Sequence, residues 1–501
     1  MVVSRSKILL RSCSSFPLRS FIDGVFVPPT SDKTYDLYDA ATGLKRLESH
    51  WASTCQVQDA LNSTTEAQYD WMTNYSIQDR IRIFHTISNQ LQRDANLIAQ
   101  MESMDTGRTI SETSSYDAIS ASQVLTHYIN LLEEHPLTTQ TSSSSSSSSS
   151  SWSCIRREPL GVTVGIGTWN YPIMNALMKS IPSLAFGNGM IYKPSELTPT
   201  SALYLAQLYR EAGIPPGLFN VVLGDKHIVQ SLITNHVVEK ISFTGSVPVG
   251  TQIYQSAAAA SHLKQVHLEL GGKSPLIVCE DADIDMAVQI AMLANWYSNG
   301  QVCSNGTRVF VPSSKQDEFL EKLMTRTSQL KIGHPLDPST DIGPMISQSH
   351  LDRVYHSIHT IGCQQDKATL VLGGQKLYQG GYYMSPAILS HCQDDMQIVQ
   401  EEIFGMVLCV LTYDSEEEVI HRANQTKFGL AAGIVTNNTD HALTHMIPKL
   451  QAGVTWINTY NEAPMHLPWS GWKQSGIGTE NGTTFAIDSW TRPKSVLLPT
   501  K

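Results

Sequence analysis

The chain has 501 residues, 41% hydrophobic and 16% charged, with a formal charge of −10. That length supports two or three buried cores, and the acidic balance argues against a nucleic-acid surface, which needs clustered Lys and Arg. Eight sparse cysteines without a CxxC pair argue against a disulfide framework and a zinc finger, and with no run of 18 apolar residues no membrane span is expected.

MVVSRSKILLRSCSSFPLRSF opens the chain with Arg5, Lys7, Arg11 and Arg19 and no acid before Asp23. This is the composition of an organelle transit peptide over residues 1–20. A mitochondrial address is the first reading; a plastid address, or a basic tail on a cytosolic protein, is the alternative. FIDGVFVPP and TYDLYDAATG alternate apolar and polar residues and predict an edge hairpin. Residues 76–104 place Ile77, Ile81, Phe84, Ile87 and Leu91 at helical spacing, which predicts one or two amphipathic helices. Ser142–Ser151 is an unbroken serine run that cannot bury a core and reads as a flexible insert.

From Gly161 onward, short β-rich runs alternate with helical stretches such as Ala202–Glu211. GVTVGIGTW, MIYKPS, FNVVLG and KISFTGS form a first series; SPLIVC, TRVFVP, MVLCVLTY, GLAAGIVT and VTWINT form a second. This pattern predicts two α/β units with doubly wound parallel sheets. Ligands bind outside the carboxyl ends of such strands. The first series delivers Thr168, Trp169, Asn170 and Tyr171 at one strand end, Lys193, Ser195 and Glu196 at the next, and Gly245, Ser246 and Gly250 at a third. Glycines there permit close backbone approach and a helix start offers free N–H groups to phosphate; an ordinary strand–helix turn is the competing reading. Glu196 is placed to accept two ribose hydroxyls, which favours NAD over a 2′-phosphorylated cofactor.

In HLELGGKSP, Glu269 precedes a glycine pair, as for a general base held on a tight turn, or for a solvated surface glutamate. His262 and His267 lie in HLKQVHLE, whose spacing is not that of a zinc helix, and no metal site is expected. In SNGQVCSNGTR, Cys303 is either a small packed hydrophobe or a nucleophile of lowered pKa on an exposed bend among small polar residues. Cys279 and Cys409 sit in strand-like apolar runs and read as packing.

Taken in order, EPLGVTVGIGTWNYP, IYKPSE, ISFTGSVPVG, LELGGKSP, GQVCSNGTRVFV, EEIFG and SGWKQSGIG resemble the aldehyde dehydrogenase superfamily over roughly residues 20–495. WNYPIMNAL, KSPLIVCEDADID, FGLAAGIVT and WINTYNEAP look like betaine aldehyde dehydrogenases and their trimethylaminobutyraldehyde relatives. The resemblance implies a Rossmann-type NAD-binding domain over 21–137 and 160–270, an α/β catalytic domain over 271–473, and a small oligomerisation arm from 138–159 and 483–501 in a homodimer or homotetramer. It implies that Cys303 attacks the aldehyde carbon, that Asn170 and the Cys303 N–H hold the oxyanion, and that Glu269 activates water against the resulting thioester. Lys179 and Glu480 match proton-relay positions. Lys193, Glu196 and Ser246 match contacts to the adenosine ribose and pyrophosphate, with Gly271 close by, and Glu402 and Phe404 match contacts to the nicotinamide side. Tyr171, Tyr297 and Trp469 fall where relatives hold a quaternary ammonium on aromatic faces.

The chain departs from the family pattern at Met178, where many relatives have Trp, at Met406 and at Thr479, and the serine run replaces part of the arm. The expected activity is oxidation of betaine aldehyde or a related amino-aldehyde. Other aldehyde or semialdehyde dehydrogenases, a catalytically silent structural paralogue, and a cysteine hydrolase or acyltransferase working without a redox step are the rivals.

Overall fold

The computed structural model describes residues 17–135, 137–142, 151–377 and 380–499. Most of the expected transit peptide and of the serine run therefore lies outside the described residues. β1 (Phe21–Ile22) and β2 (Val25–Phe26) form one hairpin, and β3 (Thr34–Tyr38) and β4 (Lys45–His50) form another. The single hairpin expected there is thus two. FIDGVFVPP folds back on itself because Asp23 and Gly24 both take positive φ, 52° and 78°, the requirement of a two-residue hairpin turn. TYDLYDAATG supplies only β3.

Residues 76–104 form two helices, Ile77–Arg93 and Ala95–Thr106. Ser76 and Asp79 cap the first reciprocally, satisfying two otherwise free N–H groups. Its stripe of Ile81, Phe84, Ile87 and Leu91 is buried. β5 (Thr138–Ser142) and β6 (Ser151–Pro159) follow.

β7 (Val162–Ile166), β8 (Gly189–Lys193), β9 (Phe219–Val221), β10 (Val238–Thr244) and β11 (Gln265–Glu269) are parallel, in the spatial order β9-β8-β7-β10-β11. The order reverses between β7 and β10, the switch point at which a doubly wound sheet opens a crevice. Helices cover both faces, so the strands are buried on both sides: Val164, Ile191 and Ile241 are fully buried.

The second sheet takes β12 (Pro275–Val278), β13 (Arg308–Pro312), β14 (Thr369–Leu372), β17 (Ala387–Ser390), β18 (Val407–Tyr413), β20 (Ala431–Val435) and β21 (Val454–Ile457), in the order β14-β17-β18-β13-β12-β20-β21. All neighbours are parallel except β14 with β17. β15 (Lys376–Leu377) pairs with β16 (Tyr383–Met384), and β19 (Phe428–Gly429) with β22 (Trp472–Lys473).

β23 (Gly476–Ile477) returns from the second unit to pair antiparallel with β11, setting Gly476 opposite Glu269. A Cβ on Gly476 would lie 2.5 Å from the Leu268 carbonyl, so only glycine permits that approach. β24 (Thr491–Pro499) pairs with β6, and β6 with β5, in a separate three-stranded sheet, β24-β6-β5. The arm therefore forms a sheet even though the serine run interrupts it. Among the described residues no helix is long and apolar enough to cross a membrane.

Removing Ile241 side-chain atoms beyond Cβ leaves a hole at the centre of the first sheet. Ile241→Ala is expected to cost about 2–5 kcal/mol, measured as a lower urea midpoint. Leu263→Ala, at a side chain 87% exposed, should leave the midpoint unchanged.

Candidate active site

The carboxyl ends of the first sheet face the second across one continuous cleft of about 1010 Å³. Nineteen of the twenty expected site residues line it; Gly250 does not. Gly250 lies inside the helix Val247–Ala258, and a Cβ there would meet Leu270 Cδ2 at 2.5 Å. Its small size serves helix–sheet packing.

Cys303 lies at the junction of the two units, after a turn in which Ser298, Asn299 and Gly300 all take positive φ. Asn299 holds this turn through both ends of its amide: Nδ2 donates to the Gly107 and Pro344 carbonyls at 3.0 Å, and Oδ1 accepts from the Gly343 N–H at 2.9 Å. Ser298 donates through both its N–H and its hydroxyl to Glu112. Gly300 cannot carry a side chain, because a Cβ would sit 2.4 Å from the Met406 nitrogen.

The expected exposed bend and lowered pKa are not what results. Cys303 is half-buried in the cleft, and burial, with Glu269 and Glu402 adding to it, pushes its thiol up to about 12. The backbone N–H groups of Cys303 and Ser304 oppose that shift, which places donors beside the sulfur. Cys409 is fully buried in β18, and Cys279 packs against the same core.

Asn170 follows β7. Its Nδ2 donates to the Gln301 carbonyl at 2.9 Å, and its Oδ1 accepts from Thr168. An amide nitrogen carries two hydrogens, so fixing one against the cysteine loop leaves the second for a charge developing beside Cys303.

Glu269 is the last residue of β11, buried rather than surface-exposed, and burial raises its carboxyl above the usual range. Lys179 and Glu480 do not touch. Ser242 joins them: Lys179 Nζ donates to Ser242 Oγ at 2.7 Å, and Ser242 Oγ donates to Glu480 at 2.6 Å. Burial lowers the Lys179 amine from its ordinary value.

At one end of the cleft Lys193 pairs with Glu196 at 2.5 Å, near Ser195. Gly245 and Ser246 lead into the helix Val247–Ala258, and Ser246 makes no side-chain cap. The first-turn N–H groups are thus available to phosphate oxygens. Toward Cys303, Glu402 accepts from the Gly272 N–H at 3.3 Å. A Cβ on Gly271 would fall 2.2 Å from Glu402 Oε2, so the glycine pair makes room for that carboxylate. Burial pushes Glu402 up to about 7. Phe404 takes a φ of 61°, with its carbonyl 2.7 Å from His350 Nε2 and its ring edge-on to Trp169 at 5.1 Å. A carboxylate paired with a lysine, an uncapped helix start and a second carboxylate beside the cysteine fit a dinucleotide laid along the cleft.

Tyr171, Met178, Tyr297 and Trp469 line the other side of Cys303. Tyr116, which carries no motif in SETSSYDAIS, joins them edge-to-face with Tyr171 at 5.7 Å. Tyr171 hydrogen-bonds Ser298, and the Arg108 guanidinium lies 4.3 Å from its ring centroid. Arg108 is buried and pairs with Glu102, Glu112 and Asp117. Among the described residues no group of three or more His, Cys, Asp or Glu is arranged to hold a metal ion.

His267, Lys240, Ser242, Tyr116, His350 and the Arg108 cluster were not expected at the site. Only His267 left a usable signal: residues i and i+2 of a strand share a face, so a base at Glu269 implies a neighbour at 267.

Compared with known proteins, residues 26–496 match the aldehyde dehydrogenase family. A betaine aldehyde dehydrogenase from Staphylococcus aureus, solved in complex with NAD+, is 29% identical with a TM-score of 0.93, over 99% of this chain and 97% of that one. An aldehyde dehydrogenase from Bacillus cereus, solved as an NAD+ complex, is 32% identical with a TM-score of 0.92, over 100% and 99%. Both bind the dinucleotide that the donors along this cleft suit. With nearly its whole length matched, the chain belongs to the aldehyde dehydrogenase family, and NAD is its cofactor.

Proposed function

We propose that this chain oxidises an amino-aldehyde of the betaine aldehyde type to its carboxylate through a thioester on Cys303. The observation that carries the chemistry is the convergence of Cys303, Asn170 and Glu269 on one cleft, each fixed by a different element. Cys303 Sγ, its proton lost to solvent through the open cleft, attacks the aldehyde carbon, and the free hydrogen of Asn170 Nδ2 and the Cys303 N–H take up the negative charge on oxygen. NAD, when bound, supplies the hydride acceptor. Lys193 and Glu196 would hold its adenosine ribose, the Ser246 helix start its pyrophosphate, and Glu402 its nicotinamide ribose. Glu269 then takes a proton from water, whose oxygen attacks the thioester carbon; the carboxylate leaves and the sulfur is free again.

The aromatic lining of Tyr116, Tyr171, Tyr297 and Trp469 supports a cationic substrate, since ring faces attract ammonium groups. One observation favours a second reading, an uncharged aldehyde: Arg108 already places a cation on Tyr171, and Met178 offers no ring face. The two differ in one measurement. For the first, kcat/KM for betaine aldehyde exceeds that for aliphatic aldehydes of matched length; a wide preference for the aliphatic ones overturns it. Assembly through the β24-β6-β5 sheet and delivery to mitochondria by the N-terminal segment belong to the same reading.

Asn170→Ala is expected to lower kcat about 100- to 1000-fold with the KM for NAD little changed, as for loss of an oxyanion donor. Steady-state kinetics check it. The height of the Cys303 pKa fixes a pH dependence. Below its pKa the thiolate fraction rises about tenfold per pH unit, so alkylation of Cys303 by iodoacetamide should climb without a plateau from about pH 7 to 9. A plateau below about pH 8 contradicts the burial account.

A further inference from the structure

His267 is buried between two carboxylates that the reaction scheme does not connect. Its Nε2 lies 3.4 Å from Glu269 Oε1, and its Nδ1 lies 3.0 Å from Glu480 Oε2. The arrangement follows from strand register. His267 and Glu269 share one face of β11, and Ser242 on β10 stands beside His267 in the parallel ladder. Lys240, two residues earlier on β10, reaches Glu480 Oε1 at 3.0 Å. β23 brings Glu480 to this face by pairing with β11. Gly478, at a φ of 85°, leaves space for the ring, because a Cβ there would lie 3.0 Å from His267 Cδ2. The result is a buried row, Glu269–His267–Glu480–Lys240, reaching from the cleft into the sheet face.

We propose that His267 is a positioning residue for Glu269: at ion-pair distance from both carboxylates, its ring couples the base's charge to Glu480 and the lysines behind it. This rests on the reading of Glu269 as the base that activates water.

The titratable and charged groups facing the ring are Glu269 on its own strand, Glu480 after β23, Lys240 on β10 and Lys179 on the helix Pro172–Ala185. Tyr128, on the helix Asp117–Glu134, lies near enough to feel Glu480. Burial lowers the imidazole's affinity for a proton, but Glu480 and Glu269 more than offset it, and His267 is held above the usual imidazole range. Burial likewise raises Glu269, and His267 is the strongest influence pulling it back down. Glu480 is held well below the carboxylate range by His267 and Lys240 despite its burial. Removing the ring takes away the strongest influence that holds Glu269 down. The base then holds its proton to higher pH, and hydrolysis fails at a pH where the natural enzyme still works.

The test follows hydrolysis of the acyl-enzyme, formed from p-nitrophenyl acetate, by stopped flow as a function of pH in the full-length protein. His267→Gln and His267→Asn keep a polar side chain at the position, and thermal unfolding shows which of them retain the fold. In a folded variant the acid limb of the hydrolysis rate should move up by about one pH unit. Hydrolysis below that limb should slow about tenfold, with the acylation rate and the KM for NAD unchanged. A merely structural role would lower the unfolding temperature and leave the limb in place, and a limb unmoved in either folded variant overturns the proposal. Glu269→Gln separates the two claims: if it hydrolyses the acyl-enzyme at the natural rate, the assignment of the base fails and the role of His267 falls with it.

Discussion

Three successive residues at positive φ deliver the cysteine, and the rest of the site depends on that turn. For Ser298 and Asn299, at 53° and 54°, the left-handed region costs roughly 1–2 kcal/mol each relative to a right-handed turn. Hydrogen bonds from both ends of the Asn299 amide, the pairing of Ser298 with Glu112 and the side-chain-free contact of Gly300 with Gly405 and Met406 offset that cost. The anchors come from both units: Gly107 and Glu112 belong to the helical layer beside the first sheet, while Gly343 and Pro344 belong to the second. The turn that aims Cys303 is also a clamp between the units, so Cys303 holds its place only when both are folded against each other.

Burial sets the chemistry around that clamp. Cys303, Glu269 and Glu402 all stand in a setting that disfavours charge, and each is shifted toward its neutral form. A neutral thiol and a carboxyl shifted toward its neutral form are poor reagents in isolation. Their counterweights are directional: backbone N–H groups beside the sulfur, the Asn170 amide, and the imidazole beside the base. Fixed dipoles in a desolvated cleft stabilise charge as it forms, without the reorganisation that water requires.

The fold was legible in the sequence because each buried strand carries its own signature. The runs ending at Ile166, Lys193, Thr244 and Glu269 are short, β-rich and followed by glycine or polar residues or by a leucine before a glycine pair, and they form one parallel sheet. Asn170 and Glu269 could be picked out because they follow or end such a run, and Cys303 because small polar residues and glycines surround it ahead of Arg308–Pro312. The residues that support them were not, because their partners are remote in sequence. Glu112 meets Ser298 across 186 residues, and Ser242 meets Glu480 across 238. Cys303 was misjudged for a related reason. Small polar neighbours suggest an exposed bend, but here Asn299, Gln301 and Ser304 turn their side chains inward to hydrogen-bond, which buries the segment. Gly250 was misplaced because a glycine after a phosphate-type turn reads the same whether it admits a ligand or a leucine.

The most direct test of the account is to trap the covalent intermediate. In Glu269→Gln supplied with NAD and aldehyde, the account predicts one equivalent of NADH and an acyl group on Cys303, located by mass spectrometry of the digested protein. NADH released in one equivalent with no adduct, or an adduct on any other cysteine, would contradict it.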